Sequence, residues 1–136
     1  MNCIYPDYAA TTPLSDNVKK NLQKTLFESD VFGNSGSSTH EYGFLAQKFI
    51  DSAREDIANT LEVLSREIVF TSGATESNNL AIKGVAENYA HKGRHIITSK
   101  IEHKAVLEVC QYLETKGYSV TYLEPDSHGN VAISDI

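Results

Sequence analysis

Apolar residues recur every four positions along two segments of the first half of the chain. The first stripe is Val18, Leu22 and Leu26, and the second is Leu45, Phe49, Ala53, Ile57 and Leu61. Ser15 can cap the first helix, and the second helix should begin near Thr39 or His40. The glycine and short polar side chains of residues 33–38 favour turns. The pattern therefore predicts two helices that are separated by a loop.

From residue 67 onward, short apolar runs alternate with amphipathic helical stripes. The runs are IVF at 68–70, HIITS at 95–99 and VTYL at 120–123. Lys92-Gly93 and Gly117 are stop signals for the intervening helices. Continuous apolar strands that alternate with helices predict a parallel sheet with helices on both faces. We therefore predict an α/β fold with an irregular segment over 1–14, a helical segment over 15–66 and the first βαβαβ part of a larger domain over 67–136.

Composition and charge restrict the class of protein. The 136 residues include 12 Lys+Arg and 18 Asp+Glu, for a formal net charge of −6, and 40% are hydrophobic. These values are typical of a soluble globular protein of one domain or part of one. The acidity argues against a nucleic-acid partner and against a polybasic membrane-surface protein. No apolar run reaches the roughly 18 to 20 residues that span a bilayer. We expect a cytoplasmic protein.

Neither the cysteines nor the histidines have the spacing of a metal site. Cys3 and Cys110 form no C-x-x-C pair and no disulfide framework, which is typical of a reducing compartment. Cys110 lies in a helical pattern, where we expect a small buried apolar side chain. His91, His95 and His128 have no companions at ligand spacing and are interpreted as surface or turn residues. The sequence predicts no metal.

Two loops would follow the carboxyl ends of parallel strands, where ligands bind in open α/β sheets. The first, TSGATES at 71–77, leads from a strand end into a helix start. Unpaired N–H groups and the helix dipole favour an anion there, and the Thr75 hydroxyl could add a donor. The loop is neither a dinucleotide fingerprint nor a Walker loop. A plain capped turn explains the spacing equally well.

The second loop, SKIEHK at 99–104, would bring His103 close to the same rim as Thr75. A neutral imidazole there can stack on a planar ring or transfer a proton, although a structural or solvent-facing histidine fits as well. For His40 we favour a helix-capping role. For Glu76 and Glu102 we favour a helix-start role, because a carboxylate complements the positive end of the dipole.

Four motifs in order resemble those of the cysteine desulfurases, which are pyridoxal-phosphate enzymes of the class V aminotransferase group. They are DYAATTP at 7–13, Gly33-Asn34 followed by Ser38, His40 and Gly43, FTSGATESNNLAIKG at 70–84, and EHKAVL at 102–107. Together they extend over essentially the whole chain. The SGATES form resembles the branch that supplies sulfur for iron–sulfur cluster assembly and tRNA thiolation more than the branch nearer selenocysteine lyases.

The resemblance implies a role for each matched residue. It implies the large domain of a fold-type I PLP-transferase, in which Ala74 and Thr75 bind the phosphate of pyridoxal 5′-phosphate. It also implies that His103 binds the cofactor by stacking on its pyridine ring and is catalytic, because it assists proton transfer. Such enzymes take sulfur from L-cysteine, give L-alanine and an enzyme persulfide, and pass the sulfur to acceptor or iron–sulfur scaffold proteins. They form homodimers.

Other parts of the family pattern do not match. Pro6 stands where an aliphatic residue is usual, and Ser35 often corresponds to proline. Family members are much longer, and this chain lacks the lysine of covalent cofactor attachment and the persulfide cysteine. It also lacks the aspartate for the pyridine nitrogen and the arginine for the substrate carboxylate. Lys83 and Lys104 lie outside the lysine motif, and Cys110 is in the wrong segment. We therefore expect the N-terminal portion of a desulfurase, inactive alone.

Three alternatives remain open on the sequence alone. The chain could be a non-enzymatic fragment or assembly module that pairs with a desulfurase. It could belong to another class V enzyme, such as a selenocysteine lyase or a small-molecule aminotransferase. It could also be a phosphate-binding α/β module with a different ligand at the loop over 71–77.

Overall fold

The computed structural model describes residues 4–29 and 31–136. These residues divide into two units, Met1–Ile68 and Val69–Ile136. Cys3 lies outside the described residues, so the expectation for it stays a prediction. The division into segments over 1–14, 15–66 and 67–136 also stays a prediction. No helix in the described ranges is both long and apolar enough to cross a membrane.

The first unit contains two helices whose starts the sequence predicts. Helix α1 spans Asp16–Gln23 and continues as a π-helical turn over Lys24–Glu28. Ser15 caps α1 by accepting the Val18 N–H at 3.3 Å.

Helix α2 spans Glu41–Leu61, and His40 is its N-cap. A short 3-10 turn, Ser65–Glu67, follows α2. The capping predictions for Ser15 and His40 are therefore confirmed.

Residues 33–39, which we call the glycine loop, lie against the first turn of α2. A Cβ atom on Gly33 would be 2.2 Å from the Tyr42 carbonyl oxygen, and one on Gly43 would be 2.1 Å from the Ser37 carbonyl oxygen. The Asn34 side chain accepts the Gly36 N–H at 3.0 Å, which closes a turn in the loop. Glycine is required at both contact positions because any side chain would overlap backbone atoms.

The second unit alternates helix and strand. Helix α3 spans Ala74–Asn88, strand β1 His95–Ser99, helix α4 Lys104–Glu114 and strand β2 Ser119–Leu123, and a 3-10 turn covers Ile133–Asp135. The strands are parallel and in register from His95 opposite Ser119 to Ser99 opposite Leu123. Gly117, with φ +86°, lies just beyond α4 and ends it, as predicted. The predicted α/β class with a parallel sheet is confirmed.

The core of the second unit fixes the direction of its helices. Val109, Leu113 and Tyr118 are buried together. Ile82, Ala86, Ala90 and Ile96 pack against them. The Tyr118 hydroxyl, just before β2, donates to the Ala86 carbonyl near the end of α3 at 2.7 Å. The C-terminal ends of α3 and α4 therefore lie near the starts of the strands. Both helix N-termini lie toward the carboxyl edge of the sheet.

Two sequence-based predictions for this part of the chain need correction. Residues 68–70, all within the described range, form no strand, and the Ile68 carbonyl accepts a hydrogen bond from Arg54 Nε at 3.3 Å while Val69 is 64% exposed. A strand needs a neighbouring ladder, which an apolar run does not specify by itself. Helix α3 ends at Asn88 rather than at Lys92-Gly93, because the Lys92 N–H bonds to the Tyr89 carbonyl in a separate turn.

The helical layer of the second unit covers one face of its sheet. Ile96 points into the core, and Tyr122, on the same face of the neighbouring strand, donates its hydroxyl hydrogen to Glu114 of α4 at 3.1 Å. On the opposite face, His95 Nε2 and Thr121 Oγ1 are 2.8 Å apart, and Ile97 is exposed. Within residues 69–136, no helix covers this second face.

Candidate functional site

The start of α3 presents backbone donors at the carboxyl edge of the sheet. Gly73 is the N-cap, with φ +155° and ψ −176°, a combination that is accessible essentially to glycine alone. Ala74 and Thr75 are the first two helical residues. Within the described ranges, their N–H groups and the Thr75 hydroxyl make no hydrogen bond. The first N–H groups of a helix have no partner inside it, and the dipole is positive there, so this site can hold an anion.

Glu76 folds back over the loop that precedes α3. Its Oε2 accepts the Ser72 N–H at 2.6 Å and the Ser72 hydroxyl at 2.7 Å. These two donors, the backbone N–H first, lower the pKa of the Glu76 carboxyl below its usual value. The carboxylate therefore acts at the helix start, as predicted. We call this pair of hydrogen bonds the Ser72–Glu76 clamp.

A second side-chain bridge crosses the same loop. The hydroxyl oxygens of Thr71 and Ser77 are 2.7 Å apart, and Ser77 Oγ also donates to the Gly73 carbonyl at 3.1 Å. Residues on both sides of Gly73 are thus linked across it. The loop that leads into α3 is held by its own side chains.

His103 is the N-cap of α4. Its Nδ1 accepts the Ala105 N–H at 3.1 Å, so in the neutral ring the proton is on Nε2. The residue is exposed, and Nε2 makes no hydrogen bond within the described ranges. This helix cap is the structural role that the sequence allowed for His103 as an alternative. It also leaves one ring face and one N–H donor toward solvent.

The structure brings Ala74, Thr75 and His103 to one edge of the second unit. Helix α3 begins at the edge where β1 ends, and the loop after Ser99 leads directly to His103. The Lys100 N–H continues the strand pairing by donating to the Leu123 carbonyl at 3.0 Å, and the Lys100 ammonium pairs with Glu124. A phosphate-sized anion and a planar ring can be bound side by side at such an edge.

The remaining candidates have structural roles. His40 caps α2, where its Nδ1 accepts the Gly43 N–H at 3.0 Å. Cys110 is only 1% exposed, and burial, followed by Glu114 and Glu102, raises the pKa of its thiol. The expectation of a buried apolar cysteine is therefore confirmed. Among the described residues, no group of three potential metal ligands forms a site.

Sequence reasoning missed the part played by Ser72. A capping box pairs the N-cap side chain with a glutamate three positions later. Here the N-cap is Gly73, which has no side chain, and Glu76 reaches one residue further back. The signal that could have revealed it is a serine directly before an N-cap glycine, four positions ahead of a glutamate.

Comparison with known proteins identifies related sequences and structures. The aminotransferase class-V family model matches residues 4–136. The cysteine desulfurase IscS of Buchnera aphidicola subsp. Acyrthosiphon pisum (strain 5A) is 53% identical over 133 residues, which are 98% of this chain and 33% of that protein. The chain therefore spans about a third of the length of this curated relative.

Solved structures agree with the sequence matches. A NifS-like protein superimposes with a TM-score of 0.82 at 42% identity, over 97% of this chain and 35% of the other. A structure described as SspA in complex with cysteine superimposes with a TM-score of 0.74 at 49% identity, over 89% of this chain and 34% of the other. At 42% and 49% identity, these matches indicate a shared family as well as a shared fold.

Proposed function

Because the chain belongs to the aminotransferase class-V family, we propose that it supplies the phosphate-binding and histidine-bearing part of a cysteine desulfurase. The observation that carries the proposal is the position of the α3 N-terminus and His103 at one edge of the sheet. Cysteine desulfurase relatives at 53% identity support the assignment of the substrate class.

The residues at the start of α3 fit the phosphate of pyridoxal 5′-phosphate. Ala74 and Thr75 offer two backbone N–H groups and one hydroxyl at the positive end of a 15-residue helix. The carboxylate of Glu76, the next residue in α3, is bonded to Ser72 and does not take these donors. In the proposed role, Ala74 and Thr75 hold the phosphate.

His103 fits a position beside the cofactor ring. Its Nδ1 is fixed by the Ala105 N–H, so the imidazole has a defined orientation and its Nε2 carries the exchangeable proton. In the proposed role the ring stacks on the pyridine, and Nε2 donates or accepts a proton at the reacting substrate. When bound, pyridoxal phosphate supplies the electron sink for this chemistry.

The proposed reaction of the whole protein takes sulfur from L-cysteine and gives L-alanine and an enzyme persulfide. We place that sulfur in iron–sulfur cluster assembly or tRNA thiolation, with sulfur-acceptor or scaffold proteins as partners. We also propose a homodimer in the cytoplasm. The SGATES motif over 72–77 supports the assignment to this branch.

The 136 residues by themselves should not complete the reaction. Neither Lys83 nor Lys104 lies in the family's lysine motif, and buried Cys110 cannot reach a substrate sulfur. We therefore propose that the chain binds the cofactor phosphate without releasing sulfide from L-cysteine. Sulfide production by the purified 136-residue chain with pyridoxal phosphate would overturn this part of the proposal.

Binding of pyridoxine 5′-phosphate to the 136-residue chain tests the phosphate role. This ligand carries the ring and phosphate but no aldehyde, so it cannot react with lysines. The NMR signals of the Ala74 and Thr75 amides should shift on titration, and Thr75→Ala should weaken binding. Pyridoxine without the phosphate is the matched ligand control. If the amide signals of α3 do not respond at millimolar ligand, the proposal is wrong.

A further inference from the structure

We propose that Glu76 is a positioning residue, which holds the loop before α3 in the form that presents the Ala74 and Thr75 N–H groups to the cofactor phosphate. The inference rests on the proposed function. It assigns to Glu76 a role beyond the helix-dipole role that its sequence position predicts.

The Glu76 carboxylate has an unusual target. A glutamate at the third helical position normally bonds to the N–H of the N-cap residue itself. Glu76 instead takes both donors of Ser72, one residue before the N-cap Gly73. A carboxylate at this position is the natural competitor of a phosphate for the first N–H groups of α3. The Ser72–Glu76 clamp binds this carboxylate to a residue outside the helix.

The Ser72–Glu76 clamp also encloses the N-cap residue Gly73. Gly73 has φ +155°, and a Cβ atom there would meet nothing within 4 Å, so the space beside its Cα is open. Glycine also loses more conformational freedom than any other residue when it is fixed. The Ser72–Glu76 clamp and the Thr71–Ser77 bridge each link a residue before Gly73 to a residue after it. A loop that is already ordered loses less conformational entropy when the ligand binds.

The charge of Glu76 and its positioning role have opposite expected effects on phosphate affinity. The usual pKa of a glutamate, 4.5, already lies well below neutral pH, and the Ser72 donors lower it further, so Glu76 carries its negative charge. A negative charge next to a phosphate repels it, so charge alone predicts tighter phosphate binding when Glu76 is replaced. The positioning role predicts weaker binding. The two explanations therefore differ in direction as well as in size.

The test measures the affinity of the 136-residue chain for pyridoxine 5′-phosphate in wild type, Glu76→Ala, Glu76→Gln and Ser72→Ala. Glu87→Ala, which removes another exposed glutamate of α3, is the matched control for charge. Glu76→Ala should weaken binding about fivefold, the loss expected for one to two exposed charge-assisted hydrogen bonds. Glu76→Gln, which keeps an acceptor, should restore part of the affinity. Glu87→Ala should leave it unchanged.

A ligand-free measurement accompanies the titrations. The Ser72 amide should exchange slowly in the wild type and faster in Glu76→Ala, while the far-UV spectrum and the exchange of α4 amides stay the same. The double variant Ser72→Ala/Glu76→Ala should bind no more weakly than Glu76→Ala alone, because the two residues act through one contact.

The outcomes separate the two proposals. If the wild type binds and Glu76→Ala binds equally well or more tightly, the positioning role is wrong and the phosphate site stands. Unchanged exchange of the Ser72 amide in Glu76→Ala would also overturn the positioning role. If the wild type shows no binding, the proposed function fails and the inference fails with it.

Discussion

The Nδ1 atom of His103 accepts the backbone N–H of Ala105 at 3.1 Å, and this bond couples a helix cap to the orientation of an imidazole ring. The same side chain therefore has two separable tasks. One stabilises the start of α4, and the other is the proposed contact with a cofactor ring through the free face and Nε2.

Asparagine at position 103 should separate these tasks. Asparagine is a good N-cap, so His103→Asn should keep the stability of the chain, whereas His103→Ala should lower the free energy of unfolding by about 1 kcal/mol. Both variants lose the ring and should bind pyridoxine 5′-phosphate more weakly. Urea unfolding and ligand titration of the three proteins measure the two effects. Equal stability of His103→Ala and wild type would show that the cap contributes nothing.

Gly43 should not tolerate alanine, although it lies within a helix. Helix propensity alone predicts that Gly→Ala stabilises a helix by roughly 1 kcal/mol. A Cβ at position 43 would lie 2.1 Å from the Ser37 carbonyl oxygen, so we expect Gly43→Ala to destabilise by about 1–3 kcal/mol. A Cβ on Gly84 in α3 would meet no atom within 4 Å, so Gly84→Ala is the control and should stabilise. Urea unfolding that gave both variants the same sign of change would contradict the close approach.

Cys110 should be slow to react with thiol reagents. Burial raises the pKa of its thiol, and the side chain is 1% exposed, so the thiolate is both scarce and shielded. In a Cys3→Ser background, reaction with Ellman's reagent at pH 8 should be at least about a hundredfold slower in buffer than in 8 M urea, because the reagent must wait for opening of the core. Comparable rates would show that Cys110 is accessible.

The loop over 126–130 should loosen in acid. Asp126 accepts the N–H groups of Asn130 at 2.9 Å and His128 at 2.8 Å, and these bonds, with the Asn130 side-chain amide, lower the pKa of its carboxyl below the usual 3.8. A lowered folded-state pKa stabilises the loop above the unfolded-state value, and this stabilisation is lost as the pH falls through the folded-state pKa.

An NMR titration of the Asp126 carboxyl checks this sign. Its midpoint should lie below 3.8, and the His128 and Asn130 amides should exchange faster in Asp126→Ala than in wild type at pH 6. Ser127→Ala, in the same loop, is the control and should leave exchange of both amides unchanged. A midpoint at or above 3.8 would contradict the hydrogen bonds.

Local signals in the sequence predicted the elements that local interactions determine. Ser15 and His40 marked helix starts because their side chains bond within the next three residues. Gly117 marked the end of α4 because a positive φ is needed there. The run over 95–99 formed a strand at the predicted bounds. In each case the information lies within a few residues of the feature.

Predictions that depended on distant partners were less successful. The run over 68–70 has the apolar character of a strand. In the structure, however, the Ile68 carbonyl accepts a hydrogen bond from the Arg54 side chain and the run forms no strand ladder. At the site, the sequence predicted that a helix starts after the loop over 71–77 and left anion binding and a plain capped turn as equal alternatives, but it did not predict the Ser72–Glu76 clamp. That contact depends on the conformation of Gly73, which the sequence allows but does not specify.

The register of β1 and β2 has a consequence for folding during synthesis. Each paired residue lies 24 positions from its partner, from His95 and Ser119 to Ser99 and Leu123. Such a short separation keeps the entropy of loop closure low, and α4 lies within it. At roughly 5–20 residues per second, the ribosome makes this stretch within a few seconds. We therefore expect β1, α4 and β2 to assemble as an early folding unit, onto which later segments of a growing chain can add.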